Sequence, residues 1–424
     1  YDFGNATVTV QSTGKLSGRF MREGATYTFS ASAFDGTADG AYYVQAVAKT
    51  ANSKTTLPVT LRVAQDGSGA EVAIDGEEDS FYMLLRNNWS DANGTELMRA
   101  YAGYYTVALP VTAKSSDTAP GGSGYLTITV KPNGTVTYAG TLADGKAFSG
   151  STVLLYGPDC CSADDRATFY LWNRPTGYGI KSGVYGVFYL APKASDDARG
   201  TTVAVADSTG LNWINENPKA VTGFNPTTGA LPNGLAGFTN VLDVTGGYYD
   251  KTINLQTYYG SRTLEIKSVF EAPDDYAGGE GDSGFTLVSV PDPTKLPATP
   301  SGPAALAFPS NRVVKTDALV DFDASSNPWA MALTPNRATG VFTASCKFYY
   351  QGVGGSGIAQ QKTRKMAIRG VFLPVHPEYL SYGDWLGFYL VSDSYPYLNA
   401  SGKQTSYSFD WSYGFALSPS AVGD

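Results

Sequence analysis

At 424 residues the chain is longer than one small core needs, and a formal net charge of −8 with no dense Lys/Arg patch speaks against a nucleic-acid partner. Its 48 glycines, where usual frequencies would give roughly 30, stand with 29 tyrosines and a charged fraction of only 16%; such a chain has ample surface to bury and is not disordered. No apolar run approaches the roughly 18 residues of a membrane-spanning helix, and one histidine with an adjacent cysteine pair lacks the spacing of a zinc site.

In chain order, Thr7–Val10 alternates, Thr13-Gly14 turns, Lys15–Phe20 alternates back and Glu23-Gly24 turns before Tyr27-Thr28-Phe29. Further strands read at Tyr42–Ala48, Leu57–Val63, Ala70–Ile74, Ser80–Leu85 and Tyr104–Pro110. That makes eight by residue 113, enough to close an up-and-down barrel, with an open sandwich as the alternative. Ser115–Gly124, rich in Ser, Asp, Pro and Gly, reads as a linker. Strands resume at Leu126–Val130 and Thr135–Ala139, punctuated by Asn133-Gly134 and Asp144-Gly145, hairpin dipeptides in which both central residues reach positive φ. Thr339-Gly340 echoes these turns, and Gly183–Leu190 is echoed by Gly383–Leu390. Pro291–Pro303 reads as an extended connector, and the run Lys362–Lys365 as a solvated strand edge. No sustained helical period occurs.

The expected fold is therefore all-β: consecutive antiparallel meander barrels or sandwiches with glycine-rich turns and helix below about 10%. Its expected organisation is an eight-strand domain over 1–113, a linker over 114–124, and a second β domain over 125–424 with a long insertion around 192–303.

Gly103–Pro110, Gly124–Val130, Gly134–Thr137 and Gly140–Phe148 together make a strand-and-turn text. It resembles an uncharacterised β-rich module of large secreted and surface proteins of Verrucomicrobia-, Lentisphaerae- and Planctomycetes-type bacteria. Val241–Gly247, Thr339–Ser345 and Gly370–Pro374 fit the same pattern. The resemblance implies fold and an extracellular or cell-surface location, and it brings no catalytic residues to transfer. An opening at Tyr1-Asp2-Phe3-Gly4 suits a chain whose signal peptide has been removed.

Gly281-Asp282-Ser283-Gly284 spells a serine-nucleophile motif, but the only available base is His376 in a proline-flanked loop, so a turn is the better reading. Acidic clusters at Glu77-Glu78-Asp79, at Asp196-Asp197 and over Glu271–Asp282 lie in loop text and read first as solvated. Calcium is the one cofactor with a candidate set: Asp274, Asp275, Glu280 and Asp282, with Asp35, Asp39, Asp66 and Asp75 behind it. Tyrosine pairs at 42–43, 104–105, 248–249, 258–259 and 349–350 should each send one ring to a core and expose the other, where exposed rings suit sugars or protein interfaces. In an oxidising compartment Cys346 is expected to pair with Cys160 or Cys161. Sequons begin at Asn5, Asn88, Asn93, Asn133 and Asn399, the fourth explained by its turn. Near the C-terminus Tyr407, Phe409, Trp411, Tyr413 and Phe415 form one face of a candidate assembly strand. No enzyme is expected. The expected role is an extracellular structural or adhesion protein, a subunit of a surface assembly or filament, with copies of itself or other surface proteins as partners. The alternative is a carbohydrate-binding module of a secreted polysaccharide-processing system, with glycans as partners.

Overall fold

The computed structural model describes residues 6–22, 25–52, 54–67, 69–76, 81–85, 98–111, 120, 122–155, 167–179, 181–192, 202–205, 211–216, 237–253, 263–268, 286–287, 305–307, 332–353, 359–373, 385–398 and 404–419. The fold is nearly all β, with 2% helix, arranged in antiparallel sheets as the sequence text implies. The helix is a single turn over residues 98–101.

The first sheet is a curled meander of β1 (Ala6–Val10), β2 (Leu16–Arg22), β3 (Ala25–Ala31), β4 (Gly36–Ala38), β5 (Ala41–Thr50), β6 (Thr56–Ala64), β7 (Gly69–Ile74) and β8 (Phe81–Leu85). Alternate residues build its core: Leu16, Phe20, Phe29, Val44, Val59, Leu61, Val72 and Ile74 all face inward. Residues of β1 and β8 come within 8 Å, Cα to Cα, so the ends of the meander curl toward each other. Its eighth strand is the three-residue β4, not Tyr104–Pro110. β4 joins β5 through Asp39-Gly40, with φ of 50° and 75°, a true two-residue turn with both centres left-handed. At Asn133-Gly134 and Asp144-Gly145 only the glycines take positive φ. There the hydrogen bonds Gly134 N to Lys131 O and Lys131 N to Thr135 O, repeated at Leu142–Lys146, mark a longer loop that ends in a glycine bulge.

The second sheet holds β9 (Gly103–Pro110), β10 (Ser123–Val130), β11 (Thr135–Thr141), β12 (Ala147–Val153), β13 (Ala167–Asn173), β14 (Gly183–Leu190), β15 (Thr202–Val205), β16 (Leu211–Asn215), β17 (Phe238–Leu242) and β18 (Thr245–Tyr248). It closes on itself. From β12 the pairing runs through β11, β10, β9, β18, β15 and β14 to β13, and just past β12 the two-way bond between Leu155 and Thr168 joins it to β13. At the other end of the gap between β9 and β14 the pair β16–β17 does the same work, through a bridge from Leu242 to Val111. Inside lie Tyr105, Val107, Leu126, Ile128, Phe169, Phe188 and Trp213, all fully buried.

This closure corrects three expectations. β9 pairs with β10 and β18, so it belongs to the barrel and not to the N-terminal meander. The stretch read as a linker is the return between β9 and β10, whose ends meet at Pro110 and Ser123. The stretch read as an insertion supplies β15–β18, without which the barrel would stay open.

The third sheet contains β19 (Thr263–Ser268), β20 (Thr286–Leu287), β21 (Ala305–Ala307), β22 (Ala332–Pro335), β23 (Val341–Val353), β24 (Ala359–Phe372), β25 (Trp385–Leu398) and β26 (Gln404–Pro419). Its base sits on the outside of the barrel. Val371, Leu373 and Leu386 cover Ala108, with Tyr125 alongside, while Phe388 and Leu390 join the barrel's own cluster. On the opposite face Phe342, Phe372, Trp385 and Phe415 pack edge-on or tilted at centroid distances of 4.7–5.9 Å.

Because Phe169 stacks on Phe188 at 4.9 Å inside the closed barrel, Phe169→Ala is expected to cost ~3–5 kcal/mol of stability. Val47→Ala, on an exposed strand position, should stay within ~0.5 kcal/mol. Chemical denaturation followed by tryptophan fluorescence measures both.

Candidate binding cleft

Strand alternation gives β9–β11 an outer face as well as an inner one, and the register sets it out in rows. Tyr104 lies beside Thr129 and Thr137; Thr106 beside Thr127 and Ala139; Ala108 beside Tyr125 and Thr141. The third sheet crosses β9 and β10 with its strands β24 and β25, and beside that contact, next to the β22–β23 hairpin, part of the grid stays open. The result is a cleft of about 540 Å³. Its floor is Tyr104, Tyr125, Thr127, Ala139, Gly140 and Thr141. Its wall is the β22–β23 hairpin, chiefly Thr334, Asn336, Thr339 and Thr343. Thr334 and Thr343 are cross-strand partners, so their side chains lie on the same face of that hairpin, and both are exposed.

Two joints hold the barrel and the third sheet together. At the first, the Tyr104 hydroxyl donates to Thr339 O at 2.9 Å and the Tyr249 hydroxyl donates to Arg337 O at 2.6 Å. Tyr249 meets Tyr104 and Phe372 edge-on. Burial raises both phenols above their ordinary pKa, so they remain donors. Gly340 closes this joint: its φ is +69°, and a Cβ there would lie 2.6 Å from the Thr106 methyl. The Lys251 ammonium sits 4.0 Å from the centre of the Tyr104 ring.

The second joint is the β11–β12 turn. Its outer side accepts a hydrogen bond from the Ser412 hydroxyl at Ala143 O, and Gly145 lies against Leu390. Its inner side is tied to the barrel interior: Asp144 accepts from the Tyr178 hydroxyl and from Lys146 N, and Tyr178 in turn accepts from Trp213 Nε1 at 2.9 Å. Loss of hydration raises the Asp144 carboxyl above the ordinary carboxylate range, against the opposing pull of the Tyr178 and Lys146 hydrogen bonds.

The residues singled out in the sequence fall elsewhere. Cys160, Cys161, His376, the Gly281–Gly284 motif and the calcium set Asp274, Asp275, Glu280 and Asp282 lie outside the described residues, as does the side chain of Cys346, whose backbone pairs with Met366 in β23–β24. Of the secondary acidic candidates, Asp35 accepts from Gln45 N and Asp75 from the Thr60 hydroxyl, which makes them turn and strand fasteners. Among the described residues no three metal-ligating side chains gather. β26 is hydrogen-bonded to β25 from Gln404 to Leu417 and to β19 at its end, so the aromatic strand is built into its own sheet. Phe415 is buried there; the side chains of Tyr407, Phe409, Trp411 and Tyr413 lie outside the described set. The tyrosine pair 104–105 divides as alternation demands, with Tyr105 inside the barrel and Tyr104 outside it. In the pair 248–249 both rings are covered, because the outer ring meets the third sheet. The cleft threonines carried no signal in the sequence beyond ordinary strand preference.

No protein family, curated protein sequence or solved structure matches the chain.

With its folded pKa raised, Asp144 holds a proton more tightly in the folded than in the unfolded state. Its contribution to stability therefore falls as pH rises from the unfolded carboxylate value through the folded one, and is flat above both. The denaturation midpoint of the parent chain, taken relative to Asp144→Asn, is expected to decline across that window. Tyr178→Phe, which leaves the carboxylate short of a buried donor, should cost ~1–3 kcal/mol at neutral pH.

Proposed function

We propose that this chain is an extracellular or cell-surface structural and adhesion protein. The observation that carries the reading is the cleft at the seam of barrel and third sheet, held by a joint on each side. It is lined by hydroxyls, one amide, aromatic rings and the small or aliphatic Ala139, Gly140 and Val341, a set suited to holding a ligand and ill suited to moving its protons. Among the described residues the one carboxylate with a raised pKa, Asp144, is engaged in the β11–β12 turn and does not line the cleft. The resemblance to β-rich modules of bacterial surface proteins supports the same location. Donation of the C-terminal strand to a neighbour is not part of this proposal, since β26 is already paired on its own sheet; partners engage through the cleft and the outer faces of the sheets.

Antibodies raised against the folded chain are expected to label intact, unpermeabilised cells of the source organism or their extracellular material. Labelling that appears only after lysis would overturn the reading.

A further inference from the structure

We infer that the cleft between the barrel and the β22–β23 hairpin binds a short stretch of neutral glycan; the inference rests on the surface-adhesion reading and names the ligand class of its site. The chemistry of the lining selects that class. A sugar ring offers apolar C–H faces and a rim of hydroxyls that both donate and accept. The cleft answers with two tyrosine rings, Tyr104 and Tyr125, and five threonine hydroxyls. Those of Thr127, Thr141 and Thr339 already donate to Ala139 O, the Tyr125 hydroxyl and Asn336 O and offer acceptor sites, while Thr334 and Thr343 stand exposed on the wall. None of the lining side chains is ionised, so a phosphate, sulfate or carboxylate entering the cleft would lose its hydration without a charge to meet it. Lys251, placed over the Tyr104 ring, is not in the lining, and neither is Arg337 of the wall hairpin.

The volume, about 540 Å³, lies within the range of roughly 300–1,000 Å³ typical of small-ligand sites. An extended peptide would recognise a sheet through unpaired strand edges. Here the floor is a sheet face whose strands β9, β10 and β11 are already paired on both sides, which leaves side-chain hydroxyls as the readers.

Of the wall residues, Thr334 and Thr343 carry the sharpest test, because both are exposed and an isosteric valine keeps strand preference and shape while removing the hydroxyl. The full chain is screened against neutral oligosaccharides (glucans, mannans, galactans, xylans) and against uronic-acid and sulfated ones, and hits are titrated by calorimetry. A neutral oligosaccharide is expected to bind, with affinity falling at least 10-fold in the Thr334→Val/Thr343→Val double variant at an unchanged unfolding midpoint. Tyr125→Ala should lose binding as well, and Tyr42→Ala, on the separate first sheet, should keep it. Binding confined to anionic sugars, no glycan binding at all, or a double variant within twofold of the parent would overturn the inference. Absence of sugar binding together with intact surface labelling removes this site assignment alone. Sugar binding without surface labelling removes the location and keeps the site.

Discussion

Over Tyr105–Leu109 the strand Gly103–Pro110 has no free face. Tyr105, Val107 and Leu109 fill the barrel, while Thr106 and Ala108 point outward and are equally buried, under the base of the third sheet. Small outward side chains are what allow the two backbones to approach: a larger residue at 108 would lift Val371, Leu373 and Leu386 off the barrel, and a side chain at Gly340 would strike the Thr106 methyl. A closed barrel curves and the base of the third sheet is built of long meander strands, so surfaces that touch where β24 and β25 cross β9 and β10 must part beside that contact. The cleft is the geometric remainder of that contact.

This double burial also explains which parts of the fold the sequence discloses. Period-2 alternation is strong where one face meets solvent, and the first sheet reads almost strand for strand. β9 reads as a nearly continuous apolar run, Tyr-Tyr-Thr-Val-Ala-Leu, the mark of a strand covered on both sides. Nothing local says which sheet it joins, and proximity in sequence assigned it to the wrong one. The Ser/Gly/Pro-rich stretch after Val111 has the same composition whether it separates domains or returns between paired strands. Only the register of Ser123 with Pro110, a tertiary fact, tells them apart. The turns divide likewise. Glycine positions 14, 134, 145 and 340, all read as turns, are left-handed, but the type of turn at Asn133 and Asp144 depends on the strand pairing around it. The two-residue turn at Asp39-Gly40 went unread because β4, three residues long, is too short to show alternation.

The site was less legible than the fold for a related reason. Thr127, Thr141, Thr334 and Thr343 sit in strands where threonine is the commonplace choice, and the first pair lies some two hundred residues from the second. Their shared cleft follows from the seating of the third sheet on the barrel, which no spacing along the chain encodes. The tyrosines were closer to readable, since alternation sends one ring of the pair 104–105 inward and the other outward, as Tyr105 and Tyr104 do. What it could not supply is that outward, on this barrel, still means partly enclosed.

Both joints that flank the cleft use the same device: a side-chain hydroxyl on one sheet donates to a backbone carbonyl in a turn of the other. Tyr104 and Tyr249 reach the carbonyls of Thr339 and Arg337, and Ser412 reaches that of Ala143. A carbonyl in a tight turn is fixed by the turn's own hydrogen bonds, as those at Asn336–Val341 and Leu142–Lys146 are, so each joint locks position as well as distance. The Asp144–Tyr178–Trp213 relay extends that fixity from the β11–β12 turn into the barrel core, which gives a buried carboxylate a structural use that offsets the desolvation it suffers. Floor and wall are thereby held in register before any ligand arrives. Binding would then order few protein groups, and weak individual contacts from neutral hydroxyls can add to useful affinity where a mobile wall would consume them in lost entropy.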